Sequence, residues 1–295
     1  MKKISASRRA FLIFNYVFLA ATCLICVMPF LNLLAVSFSS STAVAAGKVT
    51  FLPVEFTLFS YEYALRGGKF LRAFLNSVAL VVLGTFVNMV MMVLTAYPLS
   101  QGKDKLLGRN IYMAYFVLTM LISGGLIPTY LVVVKAGLKD SIWSLILPGA
   151  LPVYNMIILM NFIRGLPGEL QEAARIDGAS EFKVLREIIL PLIKPSLATV
   201  GLFCIVGHWN NWFGGIIYLN DKAKYPLATY MQSLLQNFEA IMKLSGTDYG
   251  LLLSQMNAQT GRAAQLFLGA LPVMIVYPFL QKYFTIGLTL GSVKG

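Results

Sequence analysis

The side chains with which proteins do covalent or metal chemistry are scarce in this chain of 295 residues, which holds one histidine, His208, and three cysteines, Cys23, Cys26 and Cys204. Cys23-x-x-Cys26 has the spacing of a redox or metal pair, but no polar or histidine neighbour accompanies it, so buried free thiols are the favoured reading. A lone histidine makes a metal site within the chain unexpected, and His208 reads as a packed, neutral imidazole. What remains are hydrogen-bonding and stacking groups in apolar surroundings: Asn76, Asn88, Thr119, Tyr154, Asn155, Asn161 and the run His208-Trp209-Asn210-Asn211-Trp212. Amides pair with hydroxyls in two directions and indole rings stack on the apolar faces of sugars. Asn76, Thr119, Tyr154, Asn155, Trp209, Asn210, Asn211 and Trp212 are therefore candidates to line a path for a neutral, hydroxyl-rich solute. Interhelical hydrogen bonding and interfacial anchoring of tryptophan are the plainer alternatives.

The elements that must position these groups are set by composition. At 58% hydrophobic residues the chain cannot be a soluble globule with a polar exterior, and it reads as an integral membrane protein. Apolar runs of the length needed to cross a hydrocarbon core, about 20 residues, occupy Phe11–Val36, Phe70–Leu99, Ile111–Val134, Ile142–Ile163, Leu197–Leu219 and Ala263–Phe284. They lack the alternation of a barrel, so the expectation is an all-α bundle of six transmembrane helices. Gly124-Gly125 and Pro128 are expected to loosen the third. No Asp or Glu lies in any run. Proton-coupled transporters need intramembrane carboxylates, so energy must enter elsewhere.

Lys2, Lys3, Arg8 and Arg9 in the tail and Lys103, Lys105 and Arg109 after the second run place both segments in the cytoplasm by the positive-inside rule. Six spans return the C-terminus there. The net charge of +12 is divided among loops on both sides and forms no single stripe, which argues against nucleic acid and for topology and anionic lipid. Ala43-Val44-Ala45 imitates a signal-peptide cleavage site, but the preceding apolar stretch is about twice a signal core of 7–15 residues and fits an uncleaved first span.

Between the fourth and fifth runs lies a charged island. Pro167 suits the first turn of a helix, with Glu169 and Glu172 near its positive end; Leu170, Ala173 and Ala174 form a small, flat apolar face. Gly178 ends that helix, where a left-handed turn costs glycine nothing. Ser180 is the expected cap of a second helix striped by Phe182, Leu185, Ile188 and Ile189, and Pro191 breaks the rise into the fifth span. Arg175, Lys183 and Arg186 nearly cancel Glu169, Glu172, Asp177, Glu181 and Glu187. A lipid-binding helix would be strongly basic on its polar face, so balanced charge with small alanines reads as a surface for a protein partner, a solvated loop being the alternative.

Glu172-Ala173-Ala174, then Gly178, then nine residues and Ile188-x-Leu190-Pro191 resemble without departure the cytoplasmic "EAA" loop of type I ABC importer permeases. Likeness extends through Phe51-Leu52-Pro53 with Phe56-Thr57 and Tyr61, Asn76-Ser77, Ala96-Tyr97-Pro98-Leu99-Ser100, Trp209-Asn210, and Gln281 to Phe284 and Gly291 to Gly295. These resemble the carbohydrate-uptake subfamily related to the second maltose-system permease, in its oligosaccharide branch. The resemblance implies the type I permease fold in a bacterial cytoplasmic membrane, multi-pass, and a complex with a homologous permease subunit (a heterodimer), two cytoplasmic ABC ATPase subunits and an external solute-binding protein, importing an oligosaccharide. It implies no cofactor in this chain, ATP and Mg being bound by the partner ATPase, and ATPase-coupling roles for Glu172, Ala173, Ala174, Asp177, Gly178, Ile188, Leu190 and Pro191.

The expected organisation is a first helix with its tail and outer loop (1–69), a five-helix core (70–285) carrying the coupling loop at 164–196, and a cytoplasmic tail (286–295). The outer connection from Asn220 to Thr260 should hold an amphipathic helix through Leu227, Met231, Leu234, Leu235, Phe238 and Ile241, either receiving the binding protein or closing the permease's own mouth. No Gly-rich loop ending in Lys-Ser/Thr exists to hold nucleotide. Peptide, amino-acid or phosphate uptake by the same importer class, a channel or secondary transporter, and an intramembrane hydrolase are the competing functions. The last would need a nucleophile with its base, or a metal cluster, inside the bundle.

Overall fold

A computed structural model of the chain describes residues 6–65, 68–102, 105–244, 259–272 and 274–275. Among these residues every regular element is helical and no strand occurs. The chain divides into two compact units, one of residues 1–68 with 234–271 and one of 69–233 with 272–295.

In the first unit α1 (Ala6–Ser37) is apolar on every side and exposed along most of its length. Cys23 and Cys26 lie on its exposed surface as free thiols, which corrects the expectation that they are buried; Cys204 is buried. Beyond α1, α2 (Ser41–Ala45) and α3 (Phe59–Leu65) fold back. Phe38 stacks on Phe56 and Tyr61 with ring centroids 5.4 and 4.8 Å apart, and the Tyr61 hydroxyl meets Ser37 Oγ at 2.7 Å. Phe56 and Tyr61 thus fix the return of the chain.

The second unit is built on α4 (Lys69–Ser100), which buries one face through Ala73, Ser77, Leu80, Gly84, Asn88, Met92 and Ala96. These residues recur every three or four positions, the spacing of one helical face. Then follow α5 (Arg109–Leu121), α6 (Leu126–Lys135), α7 (Trp143–Ile146), α8 (Val153–Arg164), α9 (Gly168–Ile176), α10 (Glu181–Val184), α11 (Leu190–Leu192), α12 (Lys194–Trp209) and α13 (Trp212–Tyr218). The last, α14 (Leu227–Leu244), begins in this unit and from residue 234 on is counted in the first; it is the helix expected in the outer connection, and the side chains of Leu235, Phe238 and Ile241 lie outside the described residues.

Three expected spans are not single helices. The third is broken between α5 and α6 by a bend of 113°. α5 ends where Ile122 turns extended, and Gly125, at φ +87, stands at the N-cap of α6, so the run breaks where mere loosening was expected. In the fourth, Leu147–Gly149 tightens into a 3-10 turn and α8 departs at 52° after Pro152. The fifth run stops at Trp209 and restarts at Trp212, because Asn211 Oδ1 accepts the Gly214 amide as an N-cap and such a cap requires a non-helical residue. Two described helices, α1 and α4, are each long and apolar enough to cross a membrane, or up to five segments if each bent pair counts as one span. The sixth run is helical where it is described, within 259–272 and at 274–275; the rest of it lies outside the described residues.

Candidate functional site

The charged island folds as two helices set against the end of α4. Pro167 stands at the N-cap of α9, one position before the first turn in which it was expected, its ψ of 125 still extended. Asp177 closes the helix and Gly178 follows at φ +80, a conformation that costs a residue with a Cβ roughly 1–2 kcal/mol. Ser180 caps α10 by accepting the Lys183 amide at 3.4 Å.

Beyond α10 the helix widens into a π turn over Leu185–Ile189. The extra residue per turn moves the buried stripe to Val184, Leu185 and Ile189, while Phe182, expected in that stripe, is left 68% exposed. Ile193, also buried, marks the bend of 81° into α12, which Pro191 precedes and Pro195 follows. Val184, Leu185, Ile189 and Ile193 join Met92, Ala96, Met156 and Leu159 in one core. The second half of the island is therefore part of the packed interior.

Its first half is not. Glu172, Ala173, Asp177 and Gly178 are exposed and Ile176 is 85% exposed; Ala174 packs on the core and Gln171 is buried. Ile188 and Leu190 are half-buried and Pro191 is exposed. Of the residues singled out for coupling, Glu172, Ala173, Asp177 and Gly178 thus face outward on α9 and the turn after it, while Ala174, Ile188 and Leu190 are partly buried.

Polar groups that the sequence reading did not single out as a set tie this surface to α4. Arg175 grips Glu181 across the glycine turn, Nε to Oε1 at 2.7 Å and Nη2 to Oε2 at 3.1 Å. The Tyr97 hydroxyl donates to Glu181 Oε2 at 2.5 Å, Arg175 Nη2 donates to Gln101 Oε1 at 3.0 Å, and Gln101 Nε2 donates to Gln171 Oε1 at 3.2 Å. The Arg175 guanidinium, seconded by Tyr97, holds the Glu181 carboxyl below its usual range. Arg109 and Arg164 both donate to the Leu99 carbonyl at 2.9 Å, placing two cations at the negative end of α4. Opposite charges flanking a glycine, Arg175 and Glu181, were the available signal; their partners at the end of α4, Gln101 and Tyr97, left none. Beside the network lies a groove of about 330 Å³ lined by Leu94, Tyr97, Pro98, Lys105, Glu181 and Phe182.

Midway along α4, Asn88 donates both amide hydrogens to the Gly149 and Ala150 carbonyls, at 2.8 and 2.9 Å. Backbone carbonyls released by the break in the fourth span are satisfied in this way, as an apolar surrounding demands. With both hydrogens committed, Asn88 Oδ1 can only accept, so His208 Nε2, 2.7 Å away, carries the proton. A Cβ on Gly84 would stand 2.5 Å from that ring. His208 is packed as expected.

At the pole opposite the island, Asn76 donates to the Ala223 and Tyr225 carbonyls at 2.8 and 3.2 Å, and Ser77 Oγ accepts the Leu227 amide. Asp140, at φ +59, accepts the Asn220 and Asp221 amides and pairs with Lys224 at 2.5 Å. The Lys224 hydrogen bond, then the two amides, lower its carboxyl to about 2.

The path candidates are scattered among these supports. Asn76 is committed to the far-pole turn, and Asn211 to its cap. Asn155 reaches Cys204 Sγ at 3.7 Å, Thr119 bonds back to the Phe116 carbonyl, and Trp209 meets Phe74 edge-on at 6.1 Å. Tyr154, 64% exposed, and the exposed Asn210 and Trp212 point out of the unit. Among the described residues no group of three His, Cys, Asp or Glu side chains could hold a metal ion.

Residues 56–288 match the model of the family described as "Binding-protein-dependent transport system inner membrane component". The chain is 41% identical over 288 residues to Protein LplC of Bacillus subtilis (strain 168), covering 97% of this chain and 96% of that one. It is 40% identical over 290 residues to the polygalacturonan/rhamnogalacturonan transport system permease protein YtcP of the same organism, covering 97% and 99%. A chain from the crystal structure of a bacterial ABC transporter involved in the import of the acidic polysaccharide alginate superposes with a TM-score of 0.83 at 30% identity, over 96% of this chain and 100% of that one.

Proposed function

We propose a function from one premise: the chain belongs to the family of binding-protein-dependent transport system inner membrane components. It is an all-α permease subunit of an ABC importer and carries out transport, not catalysis. Its substrate, in our reading, is an oligosaccharide. The relatives named for polygalacturonan and rhamnogalacturonan and for alginate support this over peptide, amino-acid or phosphate uptake, and they favour a uronate-bearing, acidic sugar over the neutral solute expected from the path residues.

The observation that carries the mechanism is the division of the island into a buried half and an exposed half. Glu172, Ala173 and Gly178 on the exposed half, backed by Ile188, Leu190 and Pro191, form the contact with an ATPase. Small residues there permit close approach, and the buried half conveys the displacement. We place the island in the cytoplasm of a bacterium with the chain crossing the cytoplasmic membrane several times, paired with a homologous permease, two ATPase subunits that bind ATP and Mg, and an external solute-binding protein. Tyr154, Asn210 and Trp212 are the path residues this reading retains first, with Thr119, Asn155 and Trp209 beside them.

The test is purification of the chain in mild detergent with whatever accompanies it, followed by reconstitution with the accompanying binding protein and labelled oligosaccharides. Co-purification of an ATPase and ATP-dependent uptake of a sugar support the reading; uptake confined to peptides or phosphate sinks the substrate assignment. Gly178→Val meets no neighbour within 4 Å of the new Cβ but is strained at φ +80. It should leave the complex assembled and lower uptake at least tenfold, and unchanged uptake would remove the turn from the coupling surface.

A further inference from the structure

We propose that Tyr97, Gln101, Arg175 and Glu181 are positioning residues that brace the glycine turn of the coupling loop and fasten it to α4, so that loop and helix move as one body. The inference rests on the reading of α9 as the surface that meets an ATPase.

The need for a brace follows from how unevenly the loop is held. α10 and the π turn are anchored in the core by Val184, Leu185 and Ile189, whereas α9 has one buried residue, Gln171, and the half-buried Ala174 and Arg175. A force applied to α9 would flex the chain at Gly178, where nothing lies within 4 Å of a Cβ to resist the movement. Arg175 and Glu181 stand on either side of that turn and close it with two parallel hydrogen bonds, a geometry that fixes orientation as well as distance. An exposed ion pair contributes little to stability. Its value here is directional, and the directional bonds continue inward: Glu181 accepts from buried Tyr97, and Arg175 and Gln171 both meet Gln101. Every element of the brace therefore ends on the last turn of α4 or just beyond it.

From there α4 is fixed twice more. Asn88 holds the break in the fourth span together with His208 on α12, and Asn76 and Ser77 hold the far-pole turn and the start of α14. Displacement of the braced loop reaches the opposite pole through one unbroken helix.

The complete complex, reconstituted with its ATPase and binding protein, tests this by the number of ATP molecules hydrolysed per solute imported. Glu181→Gln keeps the side chain's size and should raise that ratio at least threefold while the amount of assembled complex stays constant. Tyr97→Phe should raise it less, and the double variant should equal Glu181→Gln alone. A purely structural role would lower assembly and leave the ratio unchanged; an unchanged ratio in both single variants overturns the proposal. A second arm holds even if a variant assembles poorly. On a background with Cys23, Cys26 and Cys204 replaced by serine, Gln101→Cys with Gln171→Cys is cross-linked. Transport surviving the cross-link supports one rigid body, and transport that stops only on cross-linking overturns it, because the loop must then part from α4. Wild-type complex lacking an ATPase would instead defeat the functional reading itself.

Discussion

α1 and α4 are alike in everything that hydropathy measures and opposite in what they do within the chain. Each has 32 residues, each carries an internal proline, and the most apolar stretch of each has a mean hydropathy of 2.3. None of that stretch is buried in α1, against 22% in α4. The difference lies in the small and polar positions. α4 places Ala73, Ser77, Gly84, Asn88 and Ala96 along one seam, which lets neighbouring backbones approach and hydrogen-bond. α1 exposes Phe11, Phe14, Val17, Phe18, Ile25 and Phe30 around its circumference. Apolarity selects the segments that cross a membrane; the seam selects the segment on which a unit is assembled.

The comparison breaks most readily at Gly84. Gly84→Val drives a side chain into the His208 ring and should cost about 1–3 kcal/mol by overpacking, read as a lowered thermal midpoint of the purified protein. Ala20→Val on exposed α1 should leave the midpoint in place. If both variants melted like the parent, the seam would not be what distinguishes the two helices. Asn88→Leu should follow at about 1–2 kcal/mol, since two carbonyls and one imidazole proton lose a partner in apolar surroundings. Thr22→Val, whose hydroxyl bonds only within α1, sharpens the contrast by staying within about 0.5 kcal/mol of the parent.

The smallest effect belongs to the far-pole turn that Asn76 secures. The Asp140 carboxyl is lowered in the folded state from 3.8 to about 2, so its stabilisation is complete above pH 3.8 and disappears as pH falls toward 2. Asp140→Asn should flatten the acid limb of the thermal stability profile in that window and leave the profile above it parallel to the parent's. An unchanged acid limb would show that the Asp140 carboxylate does not stabilise the turn.

Much of the fold was legible because it depends on local chemistry. The cap at Ser180, the left-handed turn at Gly178 and the helix through Leu227 each follow from residue type and period. The third run was expected only to loosen at Gly124-Gly125, and the breaks in the fourth and fifth were not expected at all, since hydropathy averages over Pro148 and Pro152, and Asn210-Asn211, without registering what their backbones do. Phe182 was misplaced for a related reason: a π turn shifts the helical period, and α-helical spacing cannot anticipate it. In the site, the exposed face of α9 that we propose for coupling carries a motif legible in the sequence, while the hydrogen-bond network behind it does not. Tyr97 and Glu181 are far apart in the chain, and only the folded arrangement sets a phenol against a carboxylate.

The Asn88 contact gives α4 a mechanical property. A rod held near its middle is a lever, and at about 1.5 Å per residue the fulcrum at Asn88 lies about 14 Å from Tyr97 and about 18 Å from Asn76. Unequal arms multiply travel: a swing of about 3 Å at the Tyr97 end becomes about 4 Å at the Asn76 end, in the opposite direction. A helix pivoting at that contact would return a stroke slightly larger than the one it received, with its sense reversed.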